Sequence, residues 1–146
     1  MLSNSQRELL QTKGVVIGRV LLGLLFLSSG LGMLFMQGPE NVAGYFGSLG
    51  LPMAGLLAWL VIILKVGAGG AIVLGKRVGA AAAALIVFTF LTILIAHNFF
   101  ADPSQMTAAM KNFAIIGGLL YVIAFGAGSW SNKSTVVNSD TNSDSA

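Results

Sequence analysis

Four apolar stretches dominate this chain, at residues 15–36, 53–74, 79–100 and 113–130. At ~1.5 Å of rise per helical residue, each is long enough to cross the ~30 Å hydrocarbon core of a bilayer. Lys65 is the one charged residue well inside any of them. The pattern predicts an all-α membrane protein, a four-transmembrane-helix bundle. The first stretch is too long for the ~7–15-residue core of a signal peptide, and no Ala-x-Ala site follows it, so it reads as a retained span.

Charged residues make up 9% of the chain, against about 25% in an ordinary soluble domain. The segments between spans are too short for a second core, so one membrane domain over 15–130 is expected. It is preceded by a polar segment, 1–14, and followed by a tail, 131–146, of Ser, Asn, Asp and Thr that reads as disordered. Ser5 to Leu10 could start an interfacial helix, with Arg7 and Lys13 facing lipid head groups; a frayed terminus is the alternative.

Basic residues give the expected orientation. Arg7, Lys13 and Arg19 flank the first span, Lys76 and Arg77 fill the turn after the second, and Lys133 follows the fourth. Between spans one and two there is none, and between three and four only Lys111. Basic residues collect on the cytoplasmic side, so both termini are expected in the cytoplasm, with the bilayer as the first partner. The net charge of +3 is distributed in this way and forms no nucleic-acid patch.

Small residues recur at four-residue spacing: Ser28 and Gly32; Gly67, Ala71 and Gly75; Ala114 and Gly118; Ala124 and Gly128. Such spacing lets helix backbones approach closely and favours a tightly packed bundle. In the connection 37–52, Val42, Tyr45, Phe46 and Leu49 follow the i, i+3, i+4, i+7 pattern of one helical face. With Pro39 at its start, this reads as a short interfacial amphipathic helix between spans one and two; an irregular loop is the alternative.

Chemistry-bearing residues are few. Lys65 sits near the midplane, where a lysine costs about 2.5–3.5 kcal/mol on the insertion scale. The surrounding Leu, Ile and Val offset that cost, and Ala68 and Gly69 on its face leave room for a neighbouring helix. Lys65 is therefore expected to point into the bundle, as a binding or proton-linked site or as a structural charge. His97 and Asn98 close the third span, while Lys111 and Asn112 open the fourth on the same side. These groups could meet around a polar head group, with a quinone as one candidate cofactor. The bland reading of His97 is an interfacial residue among lipid head groups. Thr89 and Thr92 read as back-bonded to their own helix. The chain has no cysteine and one histidine, so thiol chemistry, bis-histidine haem and three-ligand zinc sites are excluded, and no cofactor is otherwise evident. No autonomous catalytic constellation is present.

The chain resembles the DoxX family of small bacterial membrane proteins. The resemblance rests on Arg19-Val-Leu-Leu-Gly-Leu-Leu-Phe-Leu-Ser-Ser-Gly-Leu-Gly32, Tyr45-Phe46-Gly-Ser-Leu-Gly-Leu-Pro52, Ile72-Val-Leu-Gly75 with the basic turn after it, Lys111-Asn112-Phe-Ala-Ile-Ile-Gly-Gly-Leu-Leu120 and Gly126-Ala-Gly-Ser-Trp130. It implies a four-helix bundle in the bacterial cytoplasmic membrane, with a loose link to redox and stress-defence systems. An accessory subunit of a redox enzyme is the leading expectation. The alternatives are a quinone-interacting component in its own right and a homo-oligomer that transports a small solute. The resemblance also implies a lysine near the end of span one and an acidic residue in span two, where this chain has Met33 and Lys65.

Overall fold

In the computed structural model, residues 1–128 are described. The sequence expectations for Trp130 and the tail 131–146 lie outside these residues.

The first helix is longer than the first apolar stretch. It runs continuously over Asn4–Gln37, as α1 (Asn4–Leu9), a π-helical turn at Leu10–Gly14, α2 (Val15–Gly32) and a second π-helical turn at Met33–Gln37. The polar N-terminal segment is helical because its end is capped reciprocally. Ser3 Oγ accepts from the Gln6 backbone N–H at 3.3 Å, and Gln6 Oε1 accepts from the Ser3 N–H at 2.9 Å. At ~1.5 Å per residue the whole helix is about 50 Å long, so it overruns a ~30 Å core. The overrun is the N-terminal part, where residues 1–14 are all exposed.

Gly38 breaks the helix at φ +82°, and Pro39 opens α3 (Pro39–Ser48). This is the amphipathic helix expected between the first two spans. Val42 is buried and Phe46 and Leu49 are half-buried, while Tyr45 is exposed. Val42 packs with Met33, Ala58 and Ile62 in one apolar cluster. α3 therefore lies against the end of α2 and the start of α4 (Ala54–Leu74).

α5 (Val78–Ile95) follows a tight turn in which Gly75 and Arg77 both take left-handed backbone, at φ +74° and +46°. Glycine adopts that region freely; an arginine there is uncommon and marks a turn that the adjoining helices force closed. A single 3₁₀ turn at Pro103–Gln105 leads into α6 (Met106–Phe125). α6 begins and ends earlier than the fourth apolar stretch. Asp102 caps the turn that precedes it, and Gly126 at φ +68° stops it. α5 likewise ends at Ile95, which leaves His97 and Asn98 in the connection that follows.

Among the described residues, four helices are long and apolar enough to cross a membrane. Their contacts close a ring: α2 packs on α4, α4 on α5, α5 on α6, and α6 back on α2. Phe26, Ile72, Leu85 and Leu119, one from each helix, meet in the main core. The start of α2 lies beside the end of α4, and Gly128 lies against Val15 and Val16, so the start of α2 and Gly128 sit at the same end of the bundle as the Lys76–Arg77 turn. That end is called the basic end below, and the opposite one the loop end.

Glycines do set the closest helix approach, but not at the positions picked out by spacing. A Cβ on Gly69 would lie 2.7 Å from the Leu27 backbone nitrogen, and one on Gly23 would lie 2.8 Å from that of Val73. Gly30 similarly meets Lys65 and Val66 at 2.9 Å. Gly32 and Gly67 have nothing within 4 Å, whereas Gly118 does sit against Leu22 at 3.0 Å. A four-residue repeat identifies a helical face but not the direction in which that face points. Here the α2–α4 seam falls on the neighbouring rows.

Candidate intramembrane polar site

Each of the four spanning helices turns one face towards a shared cavity. Phe26 and Ser29 come from α2, Lys65 from α4, Phe88, Thr89 and Thr92 from α5, and Lys111, Asn112 and Ile115 from α6. Within each helix these residues are three or four apart or adjacent, which keeps them on one side. The cavity measures about 300 Å³, at the lower edge of the range for small-ligand pockets.

Lys65 is half-buried, and its Nζ donates to Ser29 Oγ at 3.0 Å. The same ammonium lies 5.3 Å from the centroid of the Phe88 ring, within the ~6 Å reach of a cation–π contact. The expectation that Lys65 points into the bundle is met, because Gly30 and Gly69 let α2 come close enough for Ser29 to reach it. Lys111 is exposed at the cavity mouth and Asn112 is buried in its wall.

The two threonines behave differently from each other. Thr92 Oγ1 donates to the Phe88 carbonyl at 2.9 Å, the back-bond expected from sequence. Thr89 is 3% exposed, and its Oγ1 has no hydrogen-bond partner among the described residues. An unmatched buried hydroxyl costs about 1–3 kcal/mol, so Thr89 is a poor choice for packing alone. Sequence reasoning gave Thr89 a back-bond that it does not make, and passed over Ser29. The available signal was that Thr89 and Thr92 share a helical face, but nothing in the sequence says that this face meets Lys65.

His97 does not join the cavity. Its Nδ1 lies 2.9 Å from Gln105 Oε1. With the amide oxygen as acceptor, Nδ1 is the donor and the ring ties the end of α5 to the turn before α6. Asn98 Oδ1 accepts from the Phe100 and Ala101 backbone N–H groups at 3.1 and 3.2 Å. Asp102 accepts from the Ser104 hydroxyl at 2.7 Å and from its backbone N–H at 3.0 Å. Those two bonds hold the Asp102 carboxyl below the usual carboxylate range. This connection is built from its own hydrogen bonds, and of the expected polar group only Lys65, Lys111 and Asn112 converge.

A second cleft of about 320 Å³ opens between α2 and α6 at the basic end, walled by Val15, Leu22, Tyr121 and Phe125 with Arg19 beneath. Although it is the larger cavity, its one charged side chain is committed to the bundle. Arg19 is 1% exposed, and its Nη1 donates to the carbonyls of Ile72 at 2.6 Å and Val73 at 3.3 Å. Those carbonyls belong to the last turn of α4, the negative end of its dipole. Arg19 reads in sequence as one of several flanking cations; its burial becomes visible only once α4 lies beside it.

The DoxX family model matches residues 14–98, more than half of the chain. The chain belongs to the DoxX family. A protein named inner membrane protein YqjF, from Escherichia coli K12, is 34% identical over 122 residues, covering 84% of this chain and 91% of that protein. Inner membrane protein YphA of the same organism is 30% identical over 119 residues, covering 78% and 84%. No solved structure matches. This DoxX protein is thus an integral membrane protein. Of the two departures from the expected family pattern, Met33 fills the apolar cluster beneath α3. Lys65 bonds instead to Ser29, one helical turn before Met33.

Proposed function

We propose that this DoxX protein is an accessory subunit of a membrane redox or stress-defence system, and that its own contribution is to hold a lipid-soluble quinone. The observation that carries this reading is the convergence of hydrogen-bond donors from four helices on one cavity inside the bundle. A quinone presents two carbonyl oxygens on a flat ring. Lys65, Lys111, Thr89 and Asn112 supply donors for the oxygens, and Phe26 and Phe88 supply apolar walls for the ring. The lysine at the mouth suits a ligand that enters from the bilayer with its tail left in lipid.

The protein belongs on this reading in the bacterial inner membrane, where its two relatives are named. The basic end, with Arg7, Lys13, Lys76 and Arg77, faces the cytoplasm. The test is extraction of the purified protein with organic solvent, followed by titration with a short-tailed ubiquinone. Co-purified quinone and saturable binding that Asn112→Leu weakens support the reading. Absence of both sinks it.

A further inference from the structure

The chemistry of the cavity points to the charge of its ligand. Two lysines line it, and no aspartate or glutamate does. The carboxylates among the described residues are elsewhere. Glu8 is in α1, Glu40 is in the first turn of α3, and Asp102 is occupied by Ser104. The polar atoms that meet Lys65 are neutral: the Ser29 hydroxyl at 3.0 Å and the Phe88 ring face at 5.3 Å. Neither compensates a full charge in a medium of low dielectric constant. Thr89 adds an independent sign of a missing acceptor: the residue borders the cavity, and its buried hydroxyl has no partner among the described residues. A hydroxyl donor and two ammonium groups around one space are complementary to an oxygen that accepts hydrogen bonds and carries negative charge.

We infer that this cavity selects an amphiphile whose head is a singly ionised oxygen group, such as a carboxylate or the enolate of a hydroxyquinone, over neutral and cationic amphiphiles of the same size. The inference rests on the reading of the cavity as a site for a lipid-soluble ligand, but not on that ligand being a quinone. Lys65 and Thr89 hold the head from inside, and Lys111 meets it at the mouth. Phe26 and Phe88 take the first apolar part of the body. The arrangement explains why a cation is retained at midplane depth in a helix whose neighbours offer it no carboxylate. It also gives Lys111 a part in affinity although its side chain is exposed.

The experiment uses the full chain in nanodiscs of zwitterionic phosphatidylcholine. Binding is measured by calorimetry for decanoate, decanol and decylamine, and for a short-tailed hydroxynaphthoquinone beside its neutral methyl ether. At least a ~10-fold preference for decanoate over decanol, or for the ionised quinone over its ether, is expected. Lys65→Met and Lys111→Met should each shrink that preference, Lys65→Arg should retain it, and Thr89→Val should weaken the anion with little effect on the alcohol. Equal affinity within both matched pairs overturns the inference, and so does a preference that survives Lys65→Met combined with Lys111→Met. The wild-type comparison alone is decisive if a lysine variant fails to fold. Binding of the neutral ether without any anion preference overturns this inference and leaves the quinone reading standing. Selective binding of decanoate without either quinone does the reverse.

Discussion

The guanidinium of Arg19 donates to the backbone carbonyl of Ile72 at 2.6 Å, joining the start of α2 to the last turn of α4. The bond works on two scales. It brings a charged donor to a helix-end carbonyl that otherwise accepts only from the Gly75 N–H of the C-cap, at 3.2 Å. It also places a cation at the negative end of the α4 dipole, where it fixes the register of the two helices.

Replacing Arg19 with methionine keeps most of the apolar stem and removes the donor. Hydrogen bonds to charged groups contribute about 1.5–3 kcal/mol, so Arg19→Met should destabilise the bundle by about that much. Arg19→Lys should recover only part of the loss, because an ammonium is more strongly hydrated than a guanidinium and costs more to bury. Thermal unfolding in detergent, followed by circular dichroism, measures both. A methionine variant as stable as the parent would show that the contact carries no stability.

Gly69 and Gly67 make a matched pair on α4. A Cβ on Gly69 would enter the α2 backbone at 2.7 Å, whereas one on Gly67 meets nothing within 4 Å. Gly69→Ala should cost ~1–3 kcal/mol by forcing the helices apart. Gly67→Ala should be neutral or stabilising by up to ~1 kcal/mol through helix propensity. The same unfolding assay separates them. Equal effects would contradict the crossing described here.

The depressed Asp102 carboxyl gives the 96–105 connection a pH dependence with a definite sign. Its bonds to Ser104 favour the ionised form, so the folded group titrates below the unfolded reference of about 3.9. The stabilisation is complete above that reference and is lost as the pH falls through the lower folded value. The protection factor of the Ser104 amide, its exchange relative to the intrinsic rate at each pH, should therefore be high at pH 6 and fall only in strong acid. Asp102→Ala should abolish the protection at pH 6. A fall in the protection factor already between pH 6 and pH 5 would assign the switch to another group.

The chain contains no cysteine, so single cysteines report orientation directly. With the basic end in the cytoplasm, Ala101→Cys in the loop-end connection should react with a membrane-impermeant maleimide in spheroplasts. Asn4→Cys should react only after lysis. The reverse pattern would invert the proposed topology.

Much of the architecture was legible before any coordinates. The length of each apolar run announces a spanning helix, because a bilayer demands a minimum length. The periodicity of Val42, Tyr45, Phe46 and Leu49 announces a helix with one apolar face, although Tyr45 stays exposed. The helix ends were less legible. Capping by Ser3 and Gln6 extends the first helix into polar sequence, and Gly126 stops the last one inside apolar sequence. Hydropathy records which solvent a residue tolerates, and it does not record where backbone hydrogen bonding stops.

For the candidate site, the sequence by itself marked Lys65 as a charge in a costly position, since the expense of a charge in hydrocarbon is a property of the residue and its depth, and it marked His97, Lys111 and Asn112 as polar groups at one end of neighbouring spans. Only the tertiary structure decided that Lys65, Lys111 and Asn112 face one cavity with Ser29 and Thr89, that His97 turns away to Gln105, and that Arg19 is buried against α4. The reason is rotational. A helix in lipid can present any face to its neighbours at little change in its own energy, and the choice is made where Gly23, Gly30 and Gly69 let two backbones meet.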